Sequence, residues 1–235
     1  MKSIKHKSKQ QRDNLQQGIY KVINPFVRLL IKLGFTPNMV TTIGFFGQIF
    51  AAAVIIWIAC ISRNGTHINY SMVLLSAFLV IGFSLFDMLD GQVARLGNMA
   101  SRFGAMYDSI LDRYCEFATL GGICFYLFKC NHLTGALLTF IALMGSIMVS
   151  YVRARAEGLG IECKMGFMQR PERVVLTTIA LLATGIVGCV AGRTAFDANY
   201  ILIFAMGIMA FFTNMTAIAR INHCRRAMEN DNKPE

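Results

Sequence analysis

Charge is scarce in this chain. Of 235 residues only 15% are Asp, Glu, Lys or Arg, against 55% apolar ones, and the mean hydropathy is +0.50. That balance excludes an ordinary soluble domain and points to a single polytopic membrane domain. No cleavable leader is recognisable: Met1 to Asp13 are polar and lysine-rich, with neither an apolar stretch nor a small-residue cleavage site, so the N-terminus is expected to stay in the cytoplasm. The seven cysteines, at 60, 115, 124, 130, 163, 189 and 224, include no C-x-x-C pair. They read as small apolar fillers rather than disulfides or metal ligands. His6, His67, His132 and His223 show no ligand spacing, which speaks against zinc. Low-complexity tracts and an inverted repeat are absent, and no proline or glycine breaks the apolar runs in paired positions, which weighs against a transporter with broken helices. The net charge of +10 raises nucleic acid as a partner. The basic residues, however, are sorted by membrane side rather than gathered on one soluble face, so none is expected.

What the chain does have is length in apolar runs. Six approach the ~20 residues that span a bilayer, near 38–62, 69–89, 103–129, 133–153, 171–191 and 198–219. An even number places both termini on one side. Nineteen Lys and Arg fall in the two termini and in the second and fourth loops, against three (Arg63, Lys129, Arg193) on the other side, with Arg113 inside the third run. The positive-inside rule then puts the termini and both basic loops in the cytoplasm, as in an integral protein of a bacterial inner membrane.

Ahead of the first run, Ile19, Val22, Ile23, Phe26, Val27, Leu30 and Ile31 recur at helical spacing while Lys21, Arg28 and Lys32 occupy other positions. This predicts an amphipathic helix lying in the interface, with Asn24-Pro25 as its cap and first position and Gly34 as its stop. The expected organisation is therefore a basic tail over 1–13, an interfacial helix within 14–35, an all-α six-helix domain over 36–222 and a second tail over 223–235. The lysines of the first tail are expected to draw it toward anionic lipid.

Acids are the rarest charged type, 13 in all, yet four lie in the spacing D-x2-D-G-x2-A-R-x8-G-x3-D-x3-D where the second and third runs meet. An ionised carboxylate in a bilayer costs about 2.5 to 3.5 kcal/mol even on the gentlest scale, so something cationic must compensate. Asp87 and Asp90 are three apart, Asp108 and Asp112 four apart, so each pair shares a helical face. The short connection makes the two helices antiparallel neighbours and brings the pairs to one depth. Four oxygen donors without Cys or His suit hard divalent cations, Mg2+ or Mn2+, and two ions can share such a set. Gly91 and Gly104 allow a ligand or helix to come close, Ala94 keeps that approach open, and Arg95 suits phosphate oxygens. The inferred ligand is a pyrophosphate. A blander reading treats the acids as buried ion pairs with Arg95, Arg102 and Arg113. A cation channel or carrier would also place acids in a membrane, but it leaves the Gly, Ala and Arg between them without a purpose.

The full set Asp87, Asp90, Gly91, Ala94, Arg95, Gly104, Asp108 and Asp112 resembles the signature of the CDP-alcohol phosphotransferases, and the six-span layout with an interfacial helix resembles that family too. The resemblance implies transfer of a substituted phosphate from a CDP-linked donor to an alcohol, with release of CMP. It implies that Asp87, Asp90 and Asp108 hold metals, that Asp112 shares the metal or acts as general base, and that Gly91, Ala94, Arg95 and Gly104 line the donor site. Pro37, Asn38 and Thr41 match the family's P-N-x-x-T and border the cytidine pocket on that reading; otherwise they are helix-start residues. A homodimer is implied as well.

A second segment bears on the acceptor. Ser150 to Glu157 and Gln169-Arg170-Pro171-Glu172-Arg173 gather cations at the cytoplasmic ends of the fourth and fifth runs. With metals serving the donor, further arginines suggest a phosphorylated acceptor; the alternative is that they anchor topology. The S-Y-x-x-A-R-A-E and R-P-E-R stretches resemble the branch of the family that joins CDP-diacylglycerol to inositol 1-phosphate, differing at Gln169, where that branch has glutamate. Arg153 and Arg173, then Arg170, are the expected acceptor-phosphate ligands. Glycerol 3-phosphate is the competing acceptor.

Overall fold

A computed structural model of the chain describes residues 23–62, 68–191 and 196–231, apart from the side chains of residues 87, 230 and 231. The tail over 1–13, the beginning of the interfacial segment, Arg63 and Arg193 lie outside the described residues. The described residues are all-helical: α1 over 23–32, then α2 Pro37–Ile61, α3 Tyr70–Leu96, α4 Arg102–Lys129, α5 Leu133–Glu157, α6 Arg170–Ala191 and α7 Asn199–Asp231. All but α1 and α4 are long and apolar enough to cross a membrane. Helix α4 has the length, 28 residues, but carries Asp108, Asp112, Arg113 and Glu116. Large side chains such as Phe50, Trp57, Phe78 and Phe204 point outward, as a lipid-facing surface requires. The protein is an integral membrane protein.

Helices α3, α5 and α7 run on past their apolar stretches. Seven further residues after 89 take α3 about 10 Å beyond the expected span at 1.5 Å per residue, so Asp87 through Arg95 all stand on one continuous helix.

Four helix ends share one device. After α1, Gly34 donates to the Ile31 carbonyl and Phe35 to that of Leu30, both at 3.0 Å, with Gly34 at φ 82°. This is a Schellman ending, in which a left-handed residue lets the last carbonyls find donors. Asn98 after α3, Asn131 after α4 and Gly160 after α5 repeat it. The sequence places the start of α1 at Asn24-Pro25; α1 already includes residue 23, so Asn24 is a helical residue and not the cap.

The chain divides into two compact units, residues 1–45 with 83–111, and 46–82 with 112–235. In the first, Val27, Val40, Leu89 and Val93 form a buried core flanked by Ile23, Leu30, Ile31 and Phe35. The predicted apolar face of α1 is thus packed, with Arg28 and Lys32 exposed. Phe26 departs from the prediction and turns outward.

In the second unit, α5 packs along α7, around a core that includes Ile55, Leu120, Ile123, Met206 and Met209. Lipid tails are as apolar as leucine, so close packing rather than transfer from water holds these helices together. A Cβ at Gly122 would stand 3.3 Å from the Ala52 carbonyl oxygen, which explains glycine there. At one end of the unit, Asp197 accepts the Asn199 amide at 2.9 Å and the Tyr70 hydroxyl at 3.3 Å, and lies 2.7 Å from His132 Nε2.

The connection between α5 and α6 is tied to α7. Arg220, only 2% exposed, donates to the carbonyls of Met165 at 2.8 Å and Val149 at 2.5 Å; Thr216 accepts the Met168 amide at 3.4 Å. Arg220→Ala is expected to cost about 1 to 3 kcal/mol, the range for losing a buried donor, measured by unfolding in detergent. A change within error would mean these bonds carry no stability. Burial, with Cys224 beside it, pushes the Cys163 thiol of this connection up, as an unreactive filler should show. All seven cysteines are free.

Candidate active site

The first unit assembles the part of the signature that lies before Asp112. Ser101 caps α4 by accepting the Gly104 amide at 2.9 Å, the usual use of serine at a helix start. The five residues between α3 and α4 thus turn the chain tightly. Asp90 on α3 is 6% exposed, and the Thr41 hydroxyl donates to its Oδ2 at 2.7 Å. Thr42 meets the Tyr107 hydroxyl at 3.0 Å. A Cβ at Gly104 would lie 3.1 Å from Asn38 Oδ1; glycine there lets the start of α2 approach α4. At Gly91 a Cβ would find only the Arg95 guanidinium, at 3.8 Å. Arg95 is exposed, Ala94, Pro37 and Asn38 are half-buried, and so is Asp108. The side chain of Asp87 lies outside the described residues, and among the described residues no three His, Cys, Asp or Glu side chains gather as a metal site.

The second unit holds Asp112 and the basic residues. Asp112 is buried; its Oδ1 is 2.5 Å from an Arg170 Nη and its Oδ2 is 3.8 Å from Arg113. One turn along α4, Glu116 takes Arg173 in a fork, Nε at 2.5 Å and Nη2 at 2.9 Å. The remaining Nη1 donates to the Met168 carbonyl at 3.2 Å, leaving Arg173 only 2% exposed. Two carboxylates four apart on α4 thus face two guanidiniums three apart on α6. Arg153 is different. It pairs with Glu157 one turn on at 2.9 Å, at 40% side-chain exposure.

Of the three arginines expected at an acceptor phosphate, Arg170 touches a signature aspartate, Arg153 is accessible, and Arg173 is committed to Glu116. The bland reading of Asp112 as an ion-pair partner of Arg113 is met only at 3.8 Å; Arg170 is much closer. Sequence reasoning missed Glu116, although Asp108, Asp112 and Glu116 recur every four residues and so share one face of α4. It also counted Arg220 among the basic residues of the C-terminus, where nothing marks it as a buried tie.

The sequence model of the CDP-alcohol phosphatidyltransferase family matches residues 35–218. The chain belongs to this family and is a transferase of phospholipid biosynthesis. A phosphatidylinositol phosphate synthase of Mycobacteroides abscessus is 29% identical over 206 residues, covering 87% of this chain and 84% of that protein. The crystal structure of Mycobacterium tuberculosis phosphatidylinositol phosphate synthase with CDP-DAG bound superposes with a TM-score of 0.71 at 27% identity, covering 87% of this chain and 94% of the other. A second structure of that enzyme, in complex with manganese and citrate, gives 0.70 at 27% identity, covering 85% and 87%.

Proposed function

We propose that the protein transfers the phosphatidyl group of CDP-diacylglycerol to a hydroxyl of inositol 1-phosphate, giving phosphatidylinositol phosphate and CMP. The observation that carries the acceptor reading is the 2.5 Å contact of Arg170 with Asp112. It sets a guanidinium from the R-P-E-R stretch beside the last aspartate of the signature, so an acceptor phosphate and the proton of its attacking hydroxyl have neighbouring partners. The relatives named for this product support the same reading.

The acceptor oxygen bonds to the lipid-side phosphorus as the bond from that phosphorus to the bridging oxygen breaks, leaving CMP. Asp112 takes the proton of the attacking hydroxyl. Arg170 and the accessible Arg153 hold the acceptor phosphate, for which the planar guanidinium is suited. Arg173 was the other expected ligand; its fork with Glu116 supports a bracing role between α6 and α4 within the second unit instead. Gly91, Ala94 and Arg95, with Gly104, Pro37 and Asn38, border the CDP group.

The donor set fits hard divalent cations: Asp90 and Asp112 are buried carboxylates, and the signature contains no thiol or imidazole. Asp87, Asp90, Asp108 and Asp112 would hold two such ions, Mg2+ or Mn2+, which when bound neutralise the diphosphate and the departing CMP. The excess of basic residues in the termini and the second and fourth loops supports a site at the cytoplasmic face of a bacterial inner membrane, and the family resemblance supports a homodimer.

Purified protein given CDP-diacylglycerol and Mn2+ is expected to release CMP on addition of inositol 1-phosphate and not of free inositol. Release with both alike would remove the case for a phosphate-binding acceptor site. Arg153→Ala should raise the apparent KM for inositol 1-phosphate about tenfold, the loss of one charge-assisted contact worth about 1.5 kcal/mol, and leave that for the donor unchanged. An unaltered acceptor KM would exclude Arg153 from the site.

A further inference from the structure

Thr41 stands one turn into α2, and its hydroxyl oxygen lies 3.0 Å from the Pro37 carbonyl of its own helix and 2.7 Å from Asp90 Oδ2. A hydroxyl has one proton to donate. The shorter contact to the charged acceptor takes it, because a hydrogen bond to a carboxylate is about twice as strong as a neutral one. Thr41 is 8% exposed and Asp90 6%, so little water competes for either group. The threonine is itself fixed. Its neighbour Thr42 meets Tyr107 of α4 at 3.0 Å, and Asn38 occupies the space left open by Gly104. The start of α2 is thereby pinned within the first unit, and Thr41 reaches Asp90 from a rigid base.

We propose that Thr41 is a positioning residue for Asp90. Its hydroxyl holds the carboxylate in the orientation needed to bind a divalent cation. The inference rests on the reading of Asp90 as a metal ligand. Groups of this kind, one bond removed from a ligand, typically alter metal affinity 10- to 100-fold when lost. Valine has nearly the shape of threonine and lacks the hydroxyl, while serine keeps it.

The test is Mn2+ binding by the full-length purified protein in detergent, followed by electron paramagnetic resonance of free Mn2+ with no CDP donor present. A residue that only borders cytidine leaves this readout unmoved. Thr41→Val is expected to weaken Mn2+ binding by about tenfold or more, Thr41→Ser to retain wild-type affinity, and Asp90→Asn to lose binding at the site. Wild-type affinity in Thr41→Val, with loss in Asp90→Asn, would overturn the positioning role. Equal weakening in the valine and serine variants would also overturn it, since the hydroxyl would not be the cause. Wild-type affinity in Asp90→Asn would instead overturn the metal reading of Asp90 and with it this inference.

Discussion

Asp112→Asn is expected to slow CMP release by about 10²- to 10⁴-fold, the range that a positioned general base supplies, with the protein still folded. Asparagine keeps the shape of the side chain and can still accept a bond from Arg170, but it cannot take the proton of an attacking hydroxyl. The substitution also removes a negative charge 2.5 Å from Arg170, so loss of the proton acceptor has to be separated from local collapse. Two measurements separate the possibilities. The thermal midpoint in detergent reports folding, and the apparent KM for CDP-diacylglycerol reports whether the donor site survives. Loss of turnover with both nearly unchanged is the expected result. Normal turnover by the purified variant would remove Asp112 from the chemistry.

Arg173→Ala is expected to destabilise the protein by about 3 to 5 kcal/mol, because it strands Glu116 as a buried charge. Both side chains are enclosed, at 2% and 11% exposure, and both guanidinium edges are engaged. The neighbouring Arg153–Glu157 pair sets the contrast. It is a one-turn pair at 40% and 52% exposure, and breaking it costs about 0.3 to 0.5 kcal/mol. That difference supports the proposed division between the two arginines: Arg153 can leave its partner at little cost, whereas Arg173 cannot. Glu116→Leu combined with Arg173→Met should recover most of the stability, since a buried ion pair replaced by apolar groups of similar volume is often neutral. Unfolding of the two single variants and the double variant in detergent checks this. A cost below about 1 kcal/mol for Arg173→Ala, as for an exposed pair, would return Arg173 to the candidates for acceptor binding.

How far the sequence carried the reading depends on which interactions are local. Apolar runs of spanning length marked the helices α2 to α7, because a membrane requires length and hydropathy together. Their ends were less legible: α3 and α5 continue as helices after hydropathy falls, so a count of apolar residues stops short. The signature from Asp87 to Asp112 was visible because its residues sit within two adjoining helices. Pairings between distant segments were not. Nothing local says that Glu116 meets Arg173, 57 residues away, or that Arg220 reaches the carbonyl of Val149. Thr41 was noticed for its place in a motif, but its contact with Asp90 depends on how the start of α2 lies against α3 in the first unit. Phe26 fitted the helical period of α1 and yet faces outward, because a period alone does not set the width of the buried stripe.

The measurement that bears most directly on the proposed function is the identity of the lipid product. Radiolabelled CDP-diacylglycerol would be incubated with purified protein, Mg2+ or Mn2+, and equal concentrations of inositol 1-phosphate, glycerol 3-phosphate, free inositol or serine. The labelled lipid would then be resolved from each reaction. Phosphatidylinositol phosphate formed with inositol 1-phosphate, dependent on the divalent cation and accompanied by CMP, is the predicted result. Product from glycerol 3-phosphate alone would contradict the assignment of the acceptor.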